Sequence, residues 1–361
     1  LPLGCIDLSL LVPTYIAAIP QADIGYYYIR RNSTGTDIEV RHPKDKIWDI
    51  AGQPNLDLDF ANNKSLIDNI SGNNILNFSR NSIGTYVGED GLIKTAVVNE
   101  PRFNHNPITG ESLGLLVEES RTNLVRNSVF QFSNIQGYPI GWTTWNPGLV
   151  LRLVSMSPDG TDAAIVGKLY NNSGGFRPST VISLSPSTNY TVTWYARKPT
   201  NSELALFLSY YPANLSTGQP YTKGSYMRYD NTVTGLGSSS IVMLTDDWSR
   251  FSFSFSFNSG SSTTIHPNFT TMTQSGSYAA NDLFVLAGVQ IEQGTFPTSY
   301  IPTTGSAVTR AADDVSITGT NFSNWYNQDE GTVYADFRGG RESQQNGYGR
   351  VISPVATRSL L

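Results

Sequence analysis

Cysteine is nearly absent. Cys5 is the one thiol among 361 residues. A lone thiol closes no internal disulfide, so the fold must rest on packing, on subunit contacts or on both. Charge is also scarce: charged residues make up 15% of the chain and the net charge is −5. No general basic surface is available for a nucleic-acid backbone, so nucleic acid is not an expected partner. The three histidines, His42, His105 and His266, lie far apart without metal-ligand spacing. No metal and no cofactor are expected. No run of about 18 apolar residues exists, which excludes a helical membrane span. Leu1 to Pro20 lacks a basic n-region and carries Pro2, Pro13 and Pro20, so it does not read as a secretory signal. There is no nucleophile elbow, phosphate-binding glycine loop or zinc motif.

What is abundant points one way. Thirty-two Gly, nineteen Tyr and sixteen Phe accompany many Ser, Thr and Asn residues. That composition predicts an all-β protein, and the length predicts two or three domains. Residues 1–55 read as a small N-terminal β region, with strand-like runs at Gly25–Arg31 and Ile38–Arg41. Over 56–122 the strand-like runs Phe78–Tyr86, Leu92–Val98 and Leu113–Glu118 are separated by Gly88-Glu89-Asp90-Gly91, Asn99–Phe103 and Pro107-Ile108-Thr109-Gly110. Turn residues at those spacings predict a β-meander linker. Asp57, Asp59 and Asp68 lack the glycine and distal glutamate of a calcium loop and read as a solvated strand face.

From Asn123 onward the runs lengthen. Val150–Met156, Ala163–Tyr170, Tyr190–Lys198, Glu203–Tyr211, Ser225–Asp230, Trp248–Phe257 and Asp282–Ile291 predict a jelly-roll sandwich over 123–311. Phe251, Phe253, Phe255 and Phe257 alternate with serines, so one face of that strand must be covered while the other can meet water. Trp194 and Trp248 are expected in the core. Thr332–Phe337 reads as a strand, and residues 312–361 as the start of a second sandwich or a short docking tail.

Candidate chemistry is thin. Glu111, Glu118 and Glu119 are candidates for glycoside hydrolysis in name only, since sequence does not give the distance between carboxylates, and a salt bridge from Glu118 to Arg102 or Arg121 explains that residue equally well. No catalytic residue is assigned. Aromatic faces suit the flat C–H faces of sugars. Trp142, Trp145, Tyr210, Tyr211, Tyr226 and Tyr229, with Tyr221, are expected in or beside loops of the jelly roll and are the candidate glycan contacts.

Several short motifs in fixed order resemble a segment of phage virion proteins, chiefly tail fibres and related adhesion proteins. They are Phe78-Ser79-Arg80-Asn81-Ser82, Asp90-Gly91-Leu92-Ile93, Asn99-Glu100-Pro101-Arg102-Phe103 and Gly114–Glu118 with Arg121-Thr122-Asn123-Leu124. Asn123–Asn127 with Gly141-Trp142, and the strand Leu283–Glu292, resemble the carbohydrate-binding-module jelly rolls. Phe296–Thr303 and Val308–Asp313 continue as phage versions do, and Thr332–Phe337 resembles the first strand of a concanavalin-like domain. Many such modules hold calcium beside an acidic pair in the last strand, where this chain has Ala287 and Gly288. The resemblance implies a virion location, anchoring of residues 1–55 on tail or portal-adaptor proteins, a homotrimer, and host-surface polysaccharide as ligand. A polysaccharide depolymerase or its accessory module, and a purely structural connector or capsid-surface fibre, are the alternatives.

Overall fold

The computed structural model describes residues 28–31, 38–41, 54–132, 139–145, 153–161, 164–168, 175–197, 203–212, 222–228, 233–234, 238–243, 248–256, 263–272 and 283–327. Tyr221, Tyr229, Phe257 and the predicted strand Thr332–Phe337 lie outside them. The chain divides into two compact units, residues 1–58 with 68–73 and residues 59–67 with 74–361.

In the first unit β1 (Tyr28–Arg31) and β2 (Ile38–Arg41) pair antiparallel, with Tyr28 opposite Arg41. The Asp68 carboxylate accepts backbone N–H groups from Asp57 at 2.8 Å, Ser71 at 2.9 Å and Ile70 at 3.3 Å. Burial pushes its carboxyl up, but these bonds outweigh that and hold it below its ordinary value. Asp68 therefore organises a turn rather than standing on a solvated strand face.

The second unit begins with α1 (Phe60–Asn63), capped by the Asp59 carboxylate on the Asn62 N–H. Short strands follow: β3 (Asn77–Ser79), β4 (Gly84–Val87), β5 (Ile93–Ala96), β6 (Phe103–His105), β7 (Ser112–Leu115) and β8 (Arg121–Asn123). The longer set is β9 (Trp142–Trp145), β10 (Leu153–Ser155), β11 (Ala164–Lys168), β12 (Gly175–Pro178), β13 (Ile182–Leu184), β14 (Asn189–Arg197) and β15 (Glu203–Pro212). It continues with β16 (Thr222–Arg228), β17 (Val233–Thr234), β18 (Ser238–Met243), β19 (Ser249–Ser256), β20 (Thr263–Met272) and β21 (Leu283–Gln293). Last come β22 (Val308–Arg310), β23 (Asp314–Ser316) and α2 (Thr320–Ser323).

The long strands form a two-sheet sandwich. One sheet has the order β10-β11-β21-β14-β19-β18; the other runs β17-β16-β15-β20-β12-β9, with β13 also on β20. All pairings are antiparallel. The short strands do not make a simple consecutive meander. β4 pairs with β5 and β6 with β7, but β3 pairs with β23 and β8 with β22, across more than half the chain.

The main core lies between the sheets. Phe251, Phe253 and Phe255 of β19 are buried as their alternation requires, beside Val192 and Trp194. Trp194 stacks on Phe251 at 5.2 Å and meets Phe269 of the facing sheet edge-on at 5.7 Å. At Ser252 the serine face of β19 does not meet water as expected: Ser252 is 7% exposed, and neighbouring Thr193, Gln290 and Glu292 are at most 1% exposed, while Ser254 and Ser256 are partly exposed. Residues 294–303 cross that face and use its polar groups. Glu292 accepts the Thr298 N–H and hydroxyl at 2.8 and 2.6 Å. Gln290 Oε1 accepts the Ile301 N–H at 2.7 Å, and the Ser254 hydroxyl donates to Thr295 O at 3.0 Å. A smaller core of Ile93, Tyr195, Trp248, Ala287 and Tyr300 seals the same side.

Gly288 sits where the β14–β21 register shifts, between Thr193 and Tyr195. Its φ is +52°, and a Cβ there would stand 2.7 Å from the Tyr195 ring. Only glycine suits such a bulge. Gly288→Ala is expected to destabilise the chain by about 1–3 kcal/mol, read as a lowered thermal midpoint.

Candidate functional site

Strand register sorts the aromatic residues expected to touch glycan. Trp142 requires a correction: it is a core residue, 4% exposed. Its ring stacks on Phe176 at 4.7 Å and meets Phe130 edge-on at 4.9 Å. Its Nε1–H donates to Asn127 O at 2.6 Å. The indole N–H thus finds a partner inside, and no loop exposure is needed. Tyr210, Tyr211 and Tyr226 stand in strands rather than loops.

Directly opposed residues share a face of a sheet. Tyr210 is level with Ile265, which is fully buried, so its register position is inward. Tyr211 is level with Thr264 and takes the alternate, outward position. Phe207 shares that face and is flanked by Tyr226 on β16 and Asn268 on β20. On β12, the buried Phe176 pairs with Thr144, which leaves the neighbouring pair Gly175 and Trp145 on the outward side. Register therefore brings Trp145, Tyr211 and Tyr226 to one face of the seven-stranded sheet and keeps Trp142 and Tyr210 off it.

A second constellation is built from the residues of the ordered motifs. Arg80, Arg102, Glu118, Arg310 and Asp313 converge on one buried network. Asp313 takes Arg80 at 3.1 Å and Arg102 at 2.5 Å, with all three side chains fully buried. Its Oδ2 also accepts the Glu118 N–H at 2.8 Å, while the Asp313 N–H donates to Glu118 O at 2.9 Å. Glu118 pairs with Arg102 at 2.8 Å and lies 3.5 Å from Arg310. Ser299 donates its N–H and its hydroxyl to the same carboxylate at 2.7 and 2.6 Å. Arg80 reaches Val97 O and Ser82 O, and Arg102 reaches Thr85 O. Glu119, by contrast, pairs with Arg121, whose guanidinium lies 5.0 Å from the Phe296 ring centre.

The electrostatics fix what this network can do. Burial pushes the Glu118 carboxyl up, but Arg310, Arg102 and the Ser299 bonds together bring it below its ordinary value. A glycosidase acid needs the opposite shift. Glu118 is a locked anion joining strands, as its salt-bridge reading expects, with Arg102 as the partner. The sequence signal was present: arginines inside apolar turn motifs of a weakly charged chain. The partners Ser299, Arg310 and Asp313 were missed because they lie about 180–230 residues away along the chain.

Among the described residues, no group of three His, Cys, Asp or Glu is placed to hold a metal ion. Two small cavities have volumes of about 20 Å³ each. One is lined by Ser128, Ser157, Asp159, Tyr195 and Tyr300 among others and has room for about one water. Neither holds a sugar ring.

No protein-family model matches the chain, and no curated protein matches it. Solved structures do match. A structure described as a CBM4 module is 13% identical, covering 47% of this chain and 99% of its own, with a TM-score of 0.28. The CBM22-1–GH10 modules of Clostridium thermocellum endo-1,4-β-D-xylanase 10B, complexed with xylohexaose, are 14% identical and cover 52% of this chain; the match spans 30% of that structure, with a TM-score of 0.31. TmCBM61 with β-1,4-galactotriose is 13% identical, covering 48% of this chain and 99% of its own, with a TM-score of 0.27.

Proposed function

We propose that this chain is a non-catalytic adhesion component of a phage particle, a tail fibre whose jelly roll holds host-surface polysaccharide. The observation that carries the glycan part is the shared register face of Trp145, Tyr211 and Tyr226, with Phe207 between strands. Aromatic residues on one face of a sheet give sugars stacking platforms without an enclosed pocket. The virion part rests on the ordered motifs, whose charged members form one network and so behave as a single structural unit. In this reading residues 1–55 dock on tail or portal-adaptor proteins, and three copies act together. Weak single sites then give strong attachment. The locked Glu118 fits a binding role better than a depolymerase role.

The test is a binding titration of the full chain against purified host polysaccharides. Tyr226→Ala and Tyr211→Ala are each expected to weaken single-site affinity by roughly 3–10-fold, the worth of one aromatic contact, at an unchanged melting temperature. Wild-type affinity in both variants, or no polysaccharide binding by the parent chain, would sink the proposal. Release of new reducing ends would instead select the depolymerase alternative.

A further inference from the structure

The pairings of β3 with β23 and of β8 with β22 have a mechanical meaning that does not depend on glycan binding. The chain enters the sandwich at Asn123 and leaves it at Val308, and those two residues are directly opposed. Further out, Asn77 is opposed to Ser316 and Ser79 to Asp314. Between the two strand pairs lies the ion-pair network. Arg80 and Arg102 hold Asp313. The Ser120 hydroxyl donates to Arg310 O at 3.1 Å, the Ala311 N–H donates to the Ser82 hydroxyl at 2.9 Å, and Arg310 Nη2 donates to Glu119 O at 2.8 Å.

We propose that residues 77–123 and 308–316 form a load-bearing junction that keeps tension between the two ends of the chain off the jelly roll. A pull from residue 76 and residue 317 meets β3–β23 first, then the Asp313 ion pairs, then β8–β22. Only after all three have opened does tension run along the backbone of residues 124–307. The sandwich hangs beside the load path, so a fibre built this way keeps its sandwich folded while its ends are strained. The buried ion pairs suit the task. Each charge is desolvated and held by several partners, so opening one pair leaves a buried charge uncompensated.

Single-molecule extension of the full chain tests this, with Cys5→Ser and handles on Asn74→Cys and Thr318→Cys, both at exposed positions. A second pair of handles, Gln131→Cys and Ser306→Cys, also exposed, loads the sandwich directly from inside the junction. The expected result is one event with the outer handles, at a higher force than with the inner ones, releasing roughly 800 Å at about 3.4 Å per residue. Asp313→Asn should lower the outer-handle force towards the inner-handle value and leave the inner-handle force unchanged, which also certifies that the sandwich is folded. The milder Ser82→Ala/Ser120→Ala variant should lower the outer-handle force part of the way. A small early step with the outer handles, followed by sandwich opening at higher force, overturns the proposal. So does an outer-handle force that neither variant changes.

Discussion

Asp313→Ala is expected to destabilise the chain by about 3–5 kcal/mol, because it leaves buried guanidinium groups without their counter-ion. Arg80 and Arg102 lose their shared carboxylate, and the Glu118 N–H loses its acceptor. The Arg102–Glu118 pair remains, so the network is weakened at one node rather than dissolved. Denaturant unfolding checks the magnitude; an unchanged m-value with a lowered midpoint would assign the loss to the native state. The network also has a pH signature. Glu118 is held below its ordinary value in the folded chain. A carboxylate depressed in this way contributes stability that is fully present above its unfolded value, about 4.3, and is lost as pH falls through the folded value. The parent chain should therefore keep its midpoint from neutral pH down to about 5 and lose it progressively below about 4. Glu118→Gln should be less stable at neutral pH and show a flatter acid limb. An acid limb identical to the parent's would remove Glu118 from that account.

Trp194→Ala is the other large expected effect, again about 3–5 kcal/mol. The indole is 1% exposed and bridges the two sheets, stacked on Phe251 and edge-on to Phe269. The facing strands are held by long ladders, so the cavity cannot collapse fully and the loss approaches the upper part of that range. Trp194→Phe keeps an aromatic ring and should recover more than half of it. Near-ultraviolet circular dichroism beside thermal unfolding separates lost packing from lost fold. A cost under about 1 kcal/mol for the alanine variant would mean that Trp194 is not a keystone of the sandwich.

The sandwich was legible because its strands alternate. The run Phe251-Ser252-Phe253-Ser254-Phe255 announces one apolar face, and the seven long runs read from the sequence each overlap a strand of the structure. β20 was missed because Pro267 breaks the strand pattern. Its ladder to β15 is continuous through Pro267, while residues 266–268 have no ladder partner on the side of β12 and β13. A missing N–H is tolerated there. Ser252 misled differently. Polar alternation normally means water, but here it means a crossing segment with backbone groups to satisfy.

The site was only partly legible. Aromatic type marked both Tyr210 and Tyr211, yet adjacent residues in a strand point to opposite faces, so register had to choose between them. Trp142 carried no such signal, since its burial depends on Phe130 and Phe176, which come from other parts of the chain. Motif order picked out Arg80, Arg102, Glu118, Arg310 and Asp313 individually. Their convergence follows from strand pairing across the whole sandwich, which spacing alone does not encode.

That long-range pairing also sets a timetable for synthesis. When β3 and β8 leave the ribosome, their partners β23 and β22 do not yet exist. At about 5–20 residues per second, the nearly 200 residues between β8 and β23 take roughly 10–40 s to appear. Throughout that interval Arg80 and Arg102 lack Asp313, and two short strands present unpaired edges to whatever is nearby. The sandwich can begin to assemble meanwhile, since its strands pair among themselves. The closing step must wait for the Val308–Ser316 segment, so a nascent chain stalled before that point would be complete in its seven-stranded sheet and still open at its base.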